Sequence, residues 1–192
     1  LLAHWARLEQ QPKIHFHEET RKRVSIDFLR GWRNPLPQLP QPDLRTVKFD
    51  GVDFDGTVFR NIVFHNSEFI QTRMYRADFS NSVLQEAKFQ SPDLREARFV
   101  GADCQNATFT NCHFSKNSFA GANCRGVTYK ECKWEDVDFT GADLRGAIFY
   151  RSTDDKAAGL STVNFTGADL ADVKWGEMLM LPLNHETHSD HN

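Results

Sequence analysis

The sequence has no strong excess of charge, no long apolar run and few cysteines, and each shortage excludes a class of protein. Its 192 residues have a formal net charge of −3 at pH 7, which gives no general case for nucleic-acid binding. No apolar run is long enough to span a bilayer. Residues 1–10, LLAHWARLEQ, lack the basic start and apolar stretch of a secretory signal. We therefore expect a cytoplasmic protein with no membrane partner and no direct contact with nucleic acid.

The chain begins with Leu1 rather than Met, so we expect its first residue to be a truncation or processing boundary. A signal in residues before it would direct secretion, and that alternative stays open.

Residues that could perform chemistry are few and scattered. The sequence suggests no Ser-His-Asp or Cys-His arrangement, and its four cysteines form no CxxC pair of the kind that binds zinc. His185, His188 and His191 would share one face of a helix and could bind a metal, but we expect this polar tail to be disordered. We predict no enzyme activity, no cofactor and no metal site.

One residue type is abundant, with 16 Phe against 3 Tyr. Large apolar residues, mostly Phe and Leu, recur at every fifth position from Leu44 to Phe149, and small residues such as Ala97 lie two places before them. A period of five fits neither a helix nor a flat strand. We call the large residues the large column and the small residues two places before them the small column. A chain that turns a corner every five residues directs both columns toward a common axis, and four corners close a coil of about twenty residues.

Spacing by twenty residues sorts the large column into four sides. One side is entirely phenylalanine: Phe59, Phe79, Phe99, Phe119 and Phe139. The opposite side contains five phenylalanines and one tyrosine: Phe49, Phe69, Phe89, Phe109, Tyr129 and Phe149. We predict that these two ladders form the core of an all-β solenoid, a quadrilateral parallel β-helix of about six coils. Asn61, Asn81, Gly101, Gly121 and Gly141 would occupy corners, where Asn and Gly tolerate unusual backbone angles.

Units such as ADFSN, ADLRG and ANCRG resemble the A-(D/N)-L-x-x consensus of pentapeptide repeat proteins. The resemblance covers residues 42–149 and 163–175. It implies that the β-helix is right-handed. It indicates little about function, because the family includes unrelated binding proteins.

We divide the chain into three parts. Residues 1–40 are expected to form a partly helical N-terminal cap and a Pro-rich connector, although they could also be the tail of another domain. Residues 41–176 form the β-helix, interrupted at 150–162, where the unit FTGAD returns 26 residues after its first copy. Residues 177–192 form a C-terminal cap and polar tail. The apolar stretch WGEMLMLPLN, residues 175–184, either covers the last coil or pairs with a second copy, so we expect a monomer or a homodimer joined at this end.

The interruption at 150–162 is polar, YRSTDDKAAGLST, and we predict a surface loop. Asp154, Asp155 and Lys156 are its candidate functional residues. The alternative is a tolerated insertion without function. The cysteines all fall on inward columns, so we interpret them as small core residues in a reducing compartment.

A candidate interaction surface lies on the side that contains Phe54. Its first outer row is Asp53, Arg73, Asp93, His113 and Lys133, and its second row is Asp55, Tyr75, Arg95, Ser115 and Glu135. A third row follows with Arg76, Glu96, Lys116 and Asp136. Tyr75 and Arg95 are residue types favoured at interface hot spots. The alternative is a solvated face whose charges pair along the stack.

We predict a non-enzymatic scaffold for protein–protein interaction, in a bacterial setting because repeat proteins of this kind are abundant in bacteria. The alternative is a DNA mimic that binds DNA gyrase and protects it from quinolones, because the segment GANCRGVTYKEC resembles units of that group. The chain departs from that group in three ways: its repeat region is only slightly acidic, its N-terminal cap is large, and no dimerisation helix is evident.

Overall fold

The computed structural model describes residues 14–15, 44–150 and 159–176. Its strands are β1 (Ile14–His15), β2 (Lys48–Asp50), β3 (Glu68–Ile70), β4 (Lys88–Gln90), β5 (Thr108–Thr110), β6 (His113–Ser115), β7 (Thr128–Lys130), β8 (Lys133–Glu135), β9 (Ile148–Tyr150) and β10 (Lys174–Trp175). A 3-10 helix covers Leu160–Thr162. Three predictions lie outside these residues: the helical part of the N-terminal cap, the loop residues Asp154, Asp155 and Lys156, and the C-terminal segment 177–192 with its histidines.

Parallel strands stack in register along one side of the molecule. The sheet order is β1-β2-β3-β4-β5-β7-β9-β10, and Phe49, Phe69 and Phe89 are direct neighbours in it. Five steps from β2 to β9 take twenty residues each, and the step from β9 to β10 takes 26, since Trp175 pairs with Phe149. Isolated parallel bridges such as Val58↔Asp78 and Val63↔Val83 continue the stack around the other sides. The predicted quadrilateral parallel β-helix is confirmed.

Each side is named here after its first large residue. The Leu44 side contains Leu44, Phe64, Leu84, Cys104, Cys124, Leu144 and Leu170. The Phe49 side contains Phe49, Phe69, Phe89, Phe109, Tyr129, Phe149 and Trp175. The Phe54 side contains Phe54, Met74, Leu94, Phe114, Trp134 and Leu160. The Phe59 side contains Phe59, Phe79, Phe99, Phe119, Phe139 and Phe165.

The two predicted phenylalanine ladders are stacked rings. Phe99 and Phe119 have centroids 4.6 Å apart and planes within 3°, and both side chains are fully buried. The opposite ladder meets them edge-on, with 87° between the planes of Phe99 and Phe109. Burial of each ring stabilises the fold by roughly 1.5–3 kcal/mol.

The Leu44 and Phe54 sides face each other across the core and compensate in volume. Small Cys104 lies in the same coil as Phe114, and Cys124 lies in the same coil as Trp134. All four cysteines are free and buried, as predicted. A hydrogen bond with Cys124, together with burial, raises the pKa of the Cys104 thiol. The four cysteines therefore fill space in the core as small apolar residues.

Polar side chains in the small column connect successive coils. Ser67 Oγ donates to the carbonyl of Leu44 at 2.6 Å, and Asn117 Nδ2 donates to Leu94 at 2.6 Å. The thiol of Cys132 lies 3.4 Å from the carbonyl of Phe109. In each case the acceptor is 23 residues earlier, so the side chain reaches back across one coil to a turn. These bonds satisfy the Ser67 hydroxyl and the Asn117 amide nitrogen, whereas Thr72 Oγ1 and Asn117 Oδ1 are buried without a hydrogen-bond partner among the described residues.

Every fifth residue from Thr46 to Gly146, and again Gly167 and Asp172, is a corner with a left-handed backbone. The corner φ angles lie between +48° and +67°, the region where glycine is unstrained. The predicted corner residues Asn61, Asn81, Gly101, Gly121 and Gly141 all have this conformation. Gly101 also has a close neighbour, because a Cβ there would lie 2.6 Å from Oδ1 of Asn81 in the coil below.

The repeats resume earlier after the interruption than the sequence indicated. Leu160 is buried, belongs to the core cluster and follows Trp134 by 26 residues, so it is the next member of the Phe54 column. The backbone N–H of Asp136 donates to Thr162 Oγ1 at 2.9 Å, which joins the 3-10 helix to the coil below. The insertion is thus six residues beyond a normal coil (26 minus 20). Only part of the predicted loop 150–162 lies outside the repeat, since Tyr150 ends β9.

The N-terminal segment contributes one strand to the β-helix. β1 pairs antiparallel with β2, with Ile14 opposite Phe49, whereas every later pairing in the described residues is parallel. It occupies the open edge of the first coil on the Phe49 side. An edge strand covered in this way cannot recruit another chain at that position.

Candidate interaction surface

The predicted surface residues lie in register on the outside of the Phe54 side. Asp53, Arg73 and Asp93 are successive bridge partners, and the row continues through His113 to Lys133 in the paired strands β6 and β8. Each coil therefore adds one member to the row at a spacing of roughly 4.8 Å.

A depression of about 330 Å³ lies among these rows. It is lined by Asp55, Arg73, Tyr75, Asp93, Arg95, Glu96, Ser115, Lys116 and Glu135. Five of the predicted residues are brought together there: Arg73, Tyr75, Asp93, Arg95 and Glu135. Asp53, His113 and Lys133 lie outside the lining.

Arg73 anchors the lower end of the depression. Its guanidinium pairs with Asp53 at 3.2 Å and makes a shorter hydrogen bond to Asp55. Asp55 also accepts the backbone N–H of Tyr75 at 2.9 Å. Arg73 is thus held between two carboxylates.

Tyr75 belongs to a three-residue network with the neighbouring corners. Its hydroxyl donates to Glu96 at 3.0 Å, and the Arg76 guanidinium lies 4.8 Å from its ring centroid. Arg76 Nε donates to the other oxygen of Glu96 at 2.6 Å. This bond from Arg76 is the main reason that the pKa of Glu96 lies below its ordinary value. The ring is therefore fixed in orientation, with a cation against it.

Arg95 forms a two-pronged ion pair with Asp93. Nε and Nη2 donate to the two carboxylate oxygens at 2.8 and 2.7 Å. These bonds from Arg95 hold the pKa of Asp93 below its ordinary range. A planar pair of this kind fixes the guanidinium in place.

The upper end of the depression is less completely paired. Ser115 Oγ donates to Glu135 at 2.8 Å. Lys116 is exposed, and no carboxylate lies within 4.0 Å of its ammonium among the described residues.

Two of the predicted residues have a structural role that the sequence did not reveal. Asp53 Oδ1 accepts the backbone N–H of Asp55 at 3.1 Å, and Asp93 Oδ1 accepts that of Arg95 at 3.4 Å. The same bond recurs on other sides, for example from Arg145 N–H to Asp143 at 3.2 Å. The Asp at this position of the repeat therefore accepts a hydrogen bond from the backbone N–H two residues later, just before the corner. The signal for this role was the recurrence of Asp/Asn at one position of the repeat.

Some of the charges on this surface pair along the stack, as the alternative interpretation of the sequence proposed, whereas Arg95 pairs with Asp93 within its own coil. Arg76–Glu96 at 2.6 Å joins neighbouring coils. The third row alternates in sign: Arg76, Glu96, Lys116, Asp136. The arrangement can hold directional contacts with another polar surface, and it has no continuous stripe of one sign. In the part of the chain that the structure describes, no three His, Cys, Asp or Glu residues are grouped to hold a metal ion.

Two family models match the chain. One, described as a pentapeptide repeat region, covers residues 42–112, and the other, described as pentapeptide repeats (9 copies), covers residues 109–154. The chain belongs to the pentapeptide repeat proteins. Its fold is the repeat scaffold of that family, and among the described residues no helix has the length and apolarity needed to cross a bilayer. A comparison with curated proteins finds no match.

Solved structures of other pentapeptide repeat proteins are similar to this one. Rfr23 from the cyanobacterium Cyanothece 51142 is 17% identical with a TM-score of 0.42, over 70% of this chain and 84% of that one. HetL from Nostoc sp. strain PCC 7120, a protein involved in heterocyst differentiation regulation, is 14% identical with a TM-score of 0.34, over 78% and 92% of the chains. QnrB1, a plasmid-mediated fluoroquinolone resistance protein, is 20% identical with a TM-score of 0.31, over 71% and 78%.

Proposed function

We propose that this pentapeptide repeat protein is a non-enzymatic scaffold that binds a protein partner through the outer Phe54 side. The observation that supports this most directly concerns the corners. The described residues include five left-handed corners on this side, at positions 56, 76, 96, 116 and 136, and four of them hold a charged residue. Only position 56 is glycine.

A charged residue at such a corner lowers the stability of the fold. A left-handed backbone disfavours a residue with a Cβ by roughly 1–2 kcal/mol. The Phe59 side avoids this cost, because all its described corners are Asn or Gly. Charged residues also occupy left-handed corners on the other two sides, at Glu86, Glu131 and Asp172. The Phe54 side has four of them at successive corners, two of which, Glu96 and Lys116, line the depression. Strain of this kind is common at functional sites.

The rigidity of the stack suits such a role. Each coil is hydrogen-bonded to its neighbours on all sides, as in Phe99 N to Ser118 O at 2.7 Å and Cys104 N to Asn123 O at 2.8 Å. Outer side chains are therefore presented at fixed spacing. A surface organised before binding loses little conformational entropy on association.

DNA mimicry with binding to gyrase is the second candidate. It requires a run of negative charge that imitates a duplex. Alternating and paired charges on the Phe54 side favour the scaffold instead. The candidate is nevertheless directly testable, and a positive result would displace the scaffold proposal.

A gyrase supercoiling assay separates the two candidates. The protein is titrated into the reaction with and without a quinolone. We expect no saturable effect at concentrations well above ~1 μM, which corresponds to a binding free energy near −8 kcal/mol. A saturable effect at or below that concentration would identify the mimic.

Affinity purification with matched variants tests the scaffold itself. Wild type, Arg95→Glu and Lys130→Glu are immobilised and exposed to the same bacterial extract, with quantitative mass spectrometry of the retained proteins. Lys130 is exposed on the Phe49 side, so its variant has the same charge change away from the surface. A partner is expected to be retained by wild type and Lys130→Glu and lost with Arg95→Glu. Equal retention by all three would contradict the proposal.

A further inference from the structure

We propose that the depression on the Phe54 side receives a carboxylate of the partner protein, bound between Arg95 and Lys116. This inference rests on the proposed scaffold function and names the chemistry of the contact. Its basis is the difference between the acids and the cations that line the depression.

Every carboxylate in the lining is already engaged. Asp55 accepts from Arg73 and from the Tyr75 backbone, and Asp93 accepts from Arg95. Glu96 accepts from Arg76 and Tyr75, and Glu135 accepts from Ser115. Asp55, Asp93 and Glu96 each accept from an arginine, and Glu135 accepts only from the Ser115 hydroxyl. Three of the four acids are therefore already neutralised by a cation.

The cations keep donors available. Arg95 uses Nε and Nη2 on Asp93, and its Nη1 has no acceptor among the described residues. The ammonium of Lys116 has no carboxylate within 4.0 Å in the same part of the chain. Both residues are exposed and line the same depression. Between Arg95 and Lys116 the unused hydrogen-bonding groups are donors, from which a carboxylate accepts charge-assisted bonds.

The total charge of the lining favours a protein carboxylate over a nucleic-acid phosphate. Four carboxylates and three cations give a formal sum of −1. Nucleic-acid binding depends on neutralising several phosphates with an excess of Lys and Arg, and this surface has no such excess. A single carboxylate can instead be bound at short range while the surrounding acids stay paired.

Arg95 is prepared for this role before the partner binds. Its pair with Asp93 fixes the guanidinium plane, and Asp93 is itself fixed by the backbone N–H of Arg95. A donor held in this way loses less rotational freedom when a ligand binds.

The test uses a phage-displayed random peptide library selected in parallel on wild type, Lys116→Glu and Lys130→Glu. We expect wild type and Lys130→Glu to enrich peptides with Asp or Glu at one position. Replacing that acid with its amide should weaken the Kd of the synthetic peptide for wild type about tenfold. The Lys116→Glu selection should favour Lys or Arg at the same position, a charge exchange that unfolding cannot produce.

Three results would overturn the inference: peptides without an acid preference, identical pools from wild type and Lys116→Glu, or no binders that depend on Lys116. Binding of a fluorescent DNA duplex to wild type that is lost in Lys116→Glu would also overturn it, in favour of phosphate recognition. Failure here is distinct from failure of the scaffold proposal. A partner that depends on Arg95 in affinity purification, with no acid preference in the peptides, leaves the scaffold standing and removes only the carboxylate contact.

Discussion

The Phe54 and Phe59 sides share one backbone and differ in what they place on it. The Phe59 side repeats a single ring inside and uses only Asn and Gly at its described corners. The Phe54 side varies its core residue from coil to coil and places charged residues at four corners. Both sides have the same corner angles and ladder spacing. The backbone can therefore be built with Asn and Gly alone at its corners, and the Phe54 side differs from the Phe59 side in placing four charged side chains there.

The largest expected effect concerns the uniform ladder. Phe99→Ala should lower the free energy of unfolding by about 3–5 kcal/mol, because the ring is fully buried between Phe79 and Phe119. Thermal or denaturant unfolding followed by circular dichroism measures it. Phe165→Ala, at the partly buried last coil, is the control with a smaller loss. An unchanged midpoint for Phe99→Ala would contradict the stacked ladder.

Gly101 and Gly121 form a matched pair at successive corners of the Phe59 side. Both have φ of +63°, but a Cβ at Gly101 would lie 2.6 Å from Asn81 Oδ1, whereas Gly121 has nothing within 4 Å. Gly121→Ala should cost about 1–2 kcal/mol for the backbone alone. Gly101→Ala should cost more, and Asn81→Gly should remove the excess. Equal unfolding midpoints for the two Ala variants would show that Asn81 moves aside freely.

The carboxylate of Asp78, on the Phe59 side, should make the free energy of unfolding depend on pH. Burial alone would raise the pKa of Asp78. Hydrogen bonds from Ser80 and Arg60 lower it by a larger amount, so the pKa lies below the ordinary value. A depressed folded-state pKa stabilises the protein above the unfolded pKa of about 3.9, and that stabilisation is lost as pH falls through the folded value. Asp78→Asn should therefore cost about 1–3 kcal/mol near neutrality.

The difference between wild type and Asp78→Asn should shrink below about pH 4, because the unfolded wild-type chain binds a proton at this carboxylate there before the folded protein does. Urea unfolding at a series of pH values measures both proteins. A gap that stays constant down to pH 2 would mean that this carboxylate has no such depressed pKa.

The smallest effect is a gain of stability on the Phe54 side. Lys116→Gly should raise the free energy of unfolding by about 1 kcal/mol, because glycine is unstrained at φ +57°. The same variant should lose the acidic peptides selected on wild type. Denaturant unfolding and peptide titration give the two values. A variant that is both less stable and fully able to bind would remove the argument from corner strain.

The fold was predictable from the sequence because the inward-facing residues recur with a period of five. Phe99 and Asn81 each occupy the position that the period assigned to them. Leu160 was not predicted, because six inserted residues shift the period and GLSTV has no aromatic to mark its return. The antiparallel β1 was also unpredictable, since Ile14 and His15 belong to no repeat.

The candidate surface was predictable in outline and not in detail. Periodicity placed Tyr75 and Arg95 on one side, because register determines which rows are neighbours. It could not show that Arg95 pairs with Asp93 while Lys116 has no carboxylate within 4.0 Å in the described part of the chain, because side-chain rotamers decide which charges meet. The hydrogen bond from the backbone N–H of Asp55 to the Asp53 carboxylate depends on the backbone angles, so the sequence could not predict it either.

The inserted residues between Tyr150 and Leu160 would be visible to a single-molecule force experiment. Pulling on the C-terminal end should peel the stack one coil at a time, because each coil is bonded only to its neighbours. A regular coil of twenty residues releases roughly 70 Å of chain, and the coil of 26 residues releases roughly 90 Å. The force–extension trace would then contain one long interval among equal ones, and its place in the series would mark where the interrupted coil lies.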